Sequence, residues 1–126
     1  MTEEANRLIL YIVVRNDLAS MTAGKAAAQV SHASTQFMQK LTPQVKTWAR
    51  EADGFGTAVI LSAPIEDIYE IRRRCVNEGI MSGTVFDPGY PVRDGKYTHE
   101  VGITTCVYVF GRRGELKHLL SELSLL

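Results

Sequence analysis

Apolar and polar positions divide this chain into strand-like and helix-like segments. Four apolar segments rich in β-branched residues predict strands over residues 7–15, 57–62, 80–86 and 105–111. The first of them, "RLILYIVVR", is apolar at almost every position. Such a run is typical of a central strand in a sheet that helices cover on both faces.

The segment after the first strand has the pattern of two helices. Residues 23–40 contain no proline and are dense in alanine and glutamine, which predicts a helix. Thr42 and Pro43 are residue types that favour the N-cap and the first position of a helix. They predict a second, short helix that begins at this point.

Two further helices are predicted in the second half of the chain. One begins near Ile65, has apolar residues at helical spacing, and stops at Gly79, because glycine favours the position after a helix end. The other covers residues 115–126, where leucines recur on one face. Residues 87–104 match neither pattern and predict a long loop, and loops of this length are often functional.

The element order, β-α-α-β-α-β-β-α, predicts the fold class. Alternating strands and helices indicate an α/β protein, a three-layer α/β/α sandwich with a mixed, mostly parallel four-stranded sheet. The last two strands have no helix between them, so one of them is expected to run antiparallel. No repeat or linker interrupts the sequence, and its length predicts one domain over residues 1–126.

Composition and charge exclude few classes of function. The 126 residues are 45% hydrophobic, which fits a packed domain rather than a disordered chain, and 14 basic residues balance 14 acidic ones. This balance neither indicates nor excludes nucleic-acid binding. No apolar run approaches the roughly 18 residues of a membrane span, and the polar N-terminus is unlike an export signal. Cys75 and Cys106 are therefore expected to be reduced thiols in a cytoplasmic protein.

The stretch "TAGKAAAQVSHAS" places polar side chains together in the first helix. Lys25, Gln29 and His32 share one helix face, and Gln36 extends it. Gly24 and Lys25 lie in the first turn, where free N–H groups and the helix dipole favour an anion. Because ligand sites in open α/β sheets form where strands end, the stripe predicts a binding site there. An ordinary solvated helix face is the alternative interpretation.

A phosphate-binding P-loop does not fit the same stretch. In "ASMTAGKA", Ala19 stands at the position of the first glycine of that motif, and Ala26 stands at the position of its serine or threonine. The phosphate cradle and the magnesium ligand of a P-loop are therefore both missing.

The helix stretch also resembles a known family. "MTAGKAAAQVSHAS", placed directly after "LILYIVVRNDL", resembles the opening of the archaeal and eukaryotic type of peptidyl-tRNA hydrolase, the PTH2 family. "FDPGY" is similar to the Asp-x-Gly motif of that family, and "GITTCVYVFG" is similar to its Gly-x-x-Thr strand. The order of predicted strands and helices follows that of the family over the whole chain.

The resemblance implies a hydrolase that cleaves the ester between a peptide and the 3′ end of a tRNA. It implies a compact α/β/α domain that needs no metal or other cofactor, binds tRNA and often forms a homodimer. The catalytic residues it implies are Lys25, Asp87 and Thr105. We expect Lys25 and Asp87 to pair where the strands end, and Thr105 to donate to the substrate.

The loop after the third predicted strand departs from the family pattern. The family reads Asp-x-Gly-Arg-Thr-Gln, whereas this chain has Tyr90, Pro91 and Val92 at the last three positions. Pro91 offers neither a hydroxyl nor an N–H. Thr98, Thr104 or another residue of the lengthened loop is left as the candidate for the missing threonine.

Further residues are predicted to bind the tRNA because they are polar, basic or aromatic and flank the expected site. They are Gly24, Gln29, His32, Tyr90, Arg93, Lys96, Arg112 and Arg113. The ring of Tyr90 or Tyr97 is expected to stack on a terminal base. Two rival functions stay open: a non-catalytic relative that binds a nucleotide or an RNA end, and a hydrolase of this fold that acts on another small ester or amide.

Overall fold

The computed structural model describes residues 2–126, which form five strands and four helices. In chain order these are β1 (Leu8–Arg15), α1 (Ala23–Met38), α2 (Pro43–Arg50), β2 (Ala58–Ala63), α3 (Ile65–Glu78), β3 (Met81–Asp94), β4 (Tyr97–Arg112), α4 (Arg113–Leu120) and β5 (Ser124–Leu125). No helix in this described range is long and apolar enough to cross a membrane.

The strands form one sheet in the order β3-β4-β1-β2-β5. Within the described range, only β1 and β2 run parallel, and the other three pairings are antiparallel. The predicted α/β class and mixed sheet are confirmed, but the sheet has five strands instead of four and is not mostly parallel. A tight turn joins β3 to β4, and the chain after α4 returns against β2 as β5, so both connections produce antiparallel pairs.

The central strand β1 supplies side chains to two cores, one on each face of the sheet. Alternate side chains of a strand point to opposite faces. The first core joins β1 to α1 and α2 and includes Leu8, Leu10, Ile12, Val14, Phe37 and Trp48. The second core joins β1 to α3 and α4 and includes Ile9, Val13, Ile71, Leu116 and Leu119. The three-layer α/β/α arrangement follows from these two cores.

Local signals define several helix ends as predicted. The hydroxyl of Thr42 accepts a hydrogen bond from the N–H of Val45 and caps α2, and Gly79 ends α3 with a φ of 70°. The last helix is shorter than predicted. It ends at Leu120, because the following residues pair Ser124 and Leu125 with β2 instead of continuing the helix.

Residues 87–104, which the sequence predicted as a loop, form the outer part of a β-hairpin, here called the hairpin arm. The turn is Gly95–Lys96, and the φ of 59° at Gly95 suits a two-residue turn with glycine first. Pro88 and Pro91 interrupt the strand pattern in the sequence. They are tolerated because β3 is an edge strand, where an outward position needs no N–H.

Two β-bulges occur where the hairpin arm leaves the sheet. Val85 pairs with Cys106 but the next residue of β3 pairs with Thr104, so Thr105 is the extra residue of β4. Asp87 pairs with Ile103, and the next pair is Tyr90 with Val101, which leaves one extra residue in β3. Bulges re-aim side chains and are frequent beside active sites.

Candidate active site

The polar stripe of α1 lies along the outer edge of β3. Three of its side chains, and that of Lys40 just after the end of α1, each donate a hydrogen bond to this strand. The bonds run from Lys25 to the Pro91 carbonyl (2.7 Å), from Gln29 to the Asp87 carboxylate (2.7 Å), from Gln36 to the Thr84 carbonyl (3.1 Å) and from Lys40 to the Ser82 carbonyl (3.3 Å). The stripe is therefore partly structural, because it covers backbone acceptors of an unpaired strand edge. Gln29 differs from the others because its acceptor is a side chain.

Asp87 accepts two hydrogen bonds that favour its charged form. Oδ1 accepts from the N–H of Gly89 at 2.9 Å, which is an Asx turn, and Oδ2 accepts from Nε2 of Gln29. The pKa of Asp87 is lowered, chiefly by the Gln29 hydrogen bond and further by the Gly89 N–H and the nearby His32, against the opposing effect of burial. A carboxylate has about four acceptor positions, so Asp87 keeps lone pairs for a water or a substrate group.

Thr105 is placed by its bulge on the same face as Gln29. Its Oγ1 donates to Oε1 of Gln29 at 2.6 Å, and both side chains are buried, with Thr105 0% exposed. Because Asp87 is a carboxylate and can only accept, the Gln29 NH₂ must face Asp87 and its oxygen must face Thr105. The Thr105 proton is therefore already used. The expectation that Thr105 donates to the substrate is wrong in this geometry, since the hydroxyl is neither free nor exposed.

Lys25 carries a positive charge that no carboxylate neutralises. Its ammonium group donates to the Pro91 carbonyl and lies 5.3 Å from the centre of the Tyr90 ring. None of the ion pairs within residues 2–126 includes Lys25, so the expected pair with Asp87 does not form. Gln29 occupies that position beside Asp87 instead. Two of the three N–H groups of Lys25 are free to bind an anionic oxygen.

The buried ring of Tyr90 lies beneath the ammonium group of Lys25. The side chain is fully buried, and its hydroxyl contacts Ser20 Oγ at 3.1 Å and donates to Met21 Sδ at 3.7 Å. The predicted stacking of Tyr90 on a base is therefore wrong, because no face of its ring is accessible. Tyr97, near the tip of the hairpin arm, is 74% exposed and keeps that prediction open.

The predicted tRNA-binding residues divide between two ends of the sheet. Gly24, His32, Arg93 and Lys96 are exposed on α1 and the hairpin arm, at the end where Lys25 and Asp87 lie. Arg112 instead pairs with Leu8 at the beginning of β1. It follows Thr105 by seven residues along β4, which is about 24 Å of extended strand. The prediction that Arg112 and its neighbour Arg113 flank the site is therefore wrong.

The hydroxyl that Pro91 lacks is not replaced by either threonine considered from the sequence. Thr104 faces the opposite side of the sheet, where its Oγ1 accepts a hydrogen bond from Tyr69 of α3. Thr98 lies farther out on the hairpin arm, opposite Arg93. Ser20 brings a hydroxyl to this part of the site, where its Oγ contacts the Tyr90 hydroxyl. Reasoning from the sequence missed this residue. No sequence signal marked it, because the contact joins positions far apart in the chain.

The arrangement combines a free cation, an oriented carboxylate and an accessible surface at the end of β1. A carboxylate with free lone pairs can orient a water molecule, and an ammonium group can stabilise an oxyanion. Within residues 2–126, no group of three or more His, Cys, Asp or Glu side chains is arranged to hold a metal ion. The chemistry available from the side chains themselves is hydrolysis of an ester or a related carbonyl compound.

Comparisons with known proteins agree with this chemistry. The family described as "Peptidyl-tRNA hydrolase PTH2" matches residues 8–126. A probable peptidyl-tRNA hydrolase 2 of Dictyostelium discoideum is 35% identical over 90 residues, which cover 70% of this chain but only 42% of that longer protein. A peptidyl-tRNA hydrolase of Thermoplasma volcanium is 30% identical over 103 residues, which cover 78% of this chain and 80% of that protein.

A solved structure supports the fold independently of these names. It is a protein of unknown function from Agrobacterium tumefaciens that superposes with a TM-score of 0.63, covering 95% of this chain and 98% of the other. The two sequences are 9% identical, so this similarity concerns the fold alone.

Proposed function

The chain belongs to the peptidyl-tRNA hydrolase PTH2 family, and we propose that it hydrolyses the ester bond between the peptide and the tRNA in peptidyl-tRNA. The observation that carries the proposal is that α1 holds two groups against β3: Lys25, which no carboxylate neutralises and which donates to the Pro91 carbonyl, and Gln29, which orients the ionised Asp87. Lys25 and Asp87 both occupy the family's motif positions. The substitution at Pro91 leaves the Lys25 contact intact, because Lys25 uses the Pro91 carbonyl, which any residue supplies.

In the proposed reaction Asp87 accepts a proton from water, and Lys25 stabilises the negative charge that forms on the ester carbonyl oxygen. Asp87 orients a water and takes a proton from it as the water oxygen bonds to the ester carbonyl carbon. The free N–H groups of Lys25 stabilise the oxyanion that forms. Collapse of this intermediate breaks the bond to the ribose oxygen, which receives the proton from Asp87. The products are a free peptide acid and a tRNA with its terminal hydroxyl.

Gln29 and Thr105 are positioning residues in this proposal. The Thr105 hydroxyl fixes the orientation of the Gln29 amide, and the amide holds Asp87 in its charged form. Neither side chain needs to touch the substrate, which agrees with their burial. Rotation of the Gln29 amide by half a turn would place its oxygen against the carboxylate, and the Thr105 hydrogen bond disfavours that state.

The tRNA is proposed to approach along the hairpin arm and the first turn of α1. Arg93 and Lys96 supply positive charge there, Gly24 offers a backbone N–H in the first turn of α1, and His32 is exposed near Asp87. Tyr97 offers a ring for base stacking. A cytoplasmic location and a homodimer belong to the same proposal and rest on the family membership alone.

Cleavage of a labelled peptidyl-tRNA tests the proposal directly. The wild-type protein is expected to release the peptide and leave the tRNA intact. Binding of the tRNA without release of peptide would instead favour a non-catalytic RNA-end binder. A third outcome, hydrolysis of small peptide esters with no preference for the tRNA-linked ester, would favour an esterase with another substrate.

A further inference from the structure

Side chains cover three outward backbone carbonyls along the outer edge of β3. Residues of an edge strand point their N–H and C=O groups alternately toward the neighbouring strand and outward. The outward carbonyl of Ser82 accepts from Lys40 and Arg72, that of Thr84 accepts from Gln36, and that of Pro91 accepts from Lys25. Such covering disfavours the addition of another strand at these positions.

Phe86 lies between the covered carbonyls of Thr84 and Pro91, and its own backbone groups are not covered. It is the next outward residue after Ser82 and Thr84, since the bulge at Thr105 belongs to β4 and leaves the alternation of β3 unchanged. In the described range, no side chain donates to the Phe86 carbonyl or accepts from its N–H. The residue of α1 at the matching height is His32, which is exposed and near Asp87.

This uncovered position lies directly beside the proposed reaction centre. Phe86 precedes Asp87, so its backbone groups are about 3.4 Å along the strand from the carboxylate-bearing residue. The Phe86 ring is 61% exposed and packs over Gly102, where an added Cβ would approach the ring carbon Cζ to 2.6 Å. One free N–H and one free C=O are therefore adjacent to Asp87, whereas the Phe86 ring lies on the face of the sheet opposite to the Asp87 carboxylate.

We propose that the edge of β3 at Phe86 binds the peptide part of the substrate as a short added strand; this rests on the proposed function. The Phe86 N–H donates to a peptide carbonyl, and its C=O accepts the N–H of the amide that precedes the esterified residue. The peptide is the occupant because it is an extended chain already tethered next to Asp87 by its ester. Recognition through backbone atoms tolerates any peptide sequence.

A substrate pair tests the predicted hydrogen bond. An N-acetyl-dipeptidyl-tRNA is compared with its counterpart in which an ester oxygen replaces the N–H of the internal amide. Loss of one neutral hydrogen bond lowers kcat/KM about two- to tenfold. Equal kcat/KM values for the two substrates would overturn the inference while leaving the proposed function standing.

A binding experiment makes the inference testable even if no ester is cleaved. An N-acetyl-tripeptide amide is titrated into ¹⁵N-labelled protein, and the amide resonances of Phe86 and Arg93 are compared. Arg93 is a matched control, because it is an outward residue of the same edge farther along the hairpin arm. We expect a saturable shift of the Phe86 resonance and little change at Arg93.

Three results would contradict the peptide site. They are the absence of any shift up to millimolar peptide, equal shifts of the Phe86 and Arg93 resonances, and a Phe86 shift that depends on protein concentration without peptide. The last result would assign the edge to a second copy of this chain. Absence of tRNA-ester cleavage together with a saturable Phe86 shift would reject the proposed function and keep the peptide site.

Discussion

Replacement of Gln29 by methionine tests the hydrogen-bond chain behind Asp87. Methionine keeps approximately the volume of glutamine but removes both hydrogen bonds. A bond to a charged group contributes about 1.5–3 kcal/mol, and the lower value applies because water can reach the half-buried Asp87. Thr105 is fully buried and loses its partner, which costs about 1–3 kcal/mol. We expect Gln29→Met to lower the free energy of unfolding by about 3 kcal/mol at pH 7.

The same replacement is expected to change the pH dependence of stability. The pKa of Asp87 is lowered by folding, so its contribution is present above the pKa of the unfolded carboxyl and is lost as pH falls through the folded pKa. The Asp87 part of the difference, about 1.5 kcal/mol, should therefore begin to shrink as the pH falls below about 4 and decrease further toward the lowered pKa of the folded carboxyl. The part due to Thr105 should persist at all pH values.

Urea denaturation of wild type and variant, from pH 7 down to pH 3, measures both effects. Gln36→Met is the matched control, since Gln36 lies on the same helix but donates to a neutral carbonyl. Gln36→Met should lower the free energy of unfolding by about 1 kcal/mol at every pH. Equal losses in the two variants, or a Gln29→Met loss that does not change with pH, would refute the assigned chain from Thr105 to Asp87.

Two further predictions concern Thr105 and Asp17, whose side chains hold neighbouring groups in place. Thr105→Val should lower kcat at least tenfold and alter the acidic limb of the pH–rate profile, whereas Thr105→Ser, which keeps the donor to Gln29, should restore both. Asp17 pairs with Arg15 and accepts from the N–H of Ile65 at the start of α3, so Asp17→Ala should cost about 1–2 kcal/mol in urea denaturation at pH 7. The pKa of Asp17 is lowered, chiefly by Arg15, so this loss should shrink on acidification; a constant loss would contradict the assignment.

Local chemistry explains which parts of the fold were predictable from the sequence. The cap at Thr42 and the left-handed Gly79 depend on one or two residues, so their types alone indicated helix ends. The hairpin arm was missed because Pro88 and Pro91 hid the strand pattern, although "RDGKY" contains a typical two-residue turn. Proline is compatible with a strand only at an edge or a bulge, and the sequence does not show which strand is the edge.

The shared helix face of Lys25 and Gln29 was predicted from the sequence, but the contacts of these side chains with β3 were not. Helical spacing placed Lys25 and Gln29 on one face, which the structure shows along β3. The sequence could not show that Gln29, rather than Lys25, lies opposite Asp87, because this depends on where the helix crosses the strand. The bulge that turns Thr105 toward Gln29 depends on the register between two strands and has no signal in either one alone.

The most direct test of the central claim compares Lys25 of α1 with Lys40, two residues after the end of α1, in cleavage of peptidyl-tRNA. Lys25 and Lys40 each donate to a carbonyl of β3 and lie over a tyrosine ring, at 5.3 and 5.1 Å, but only Lys25 is beside the Asp87 region. We predict that Lys25→Ala lowers kcat/KM by a factor of about 100 or more, the loss typical of removing an oxyanion donor. Lys40→Ala should stay within about threefold of wild type, since it loses only a half-exposed structural contact. Equal effects of the two replacements, or no cleavage by the wild-type protein, would contradict the account.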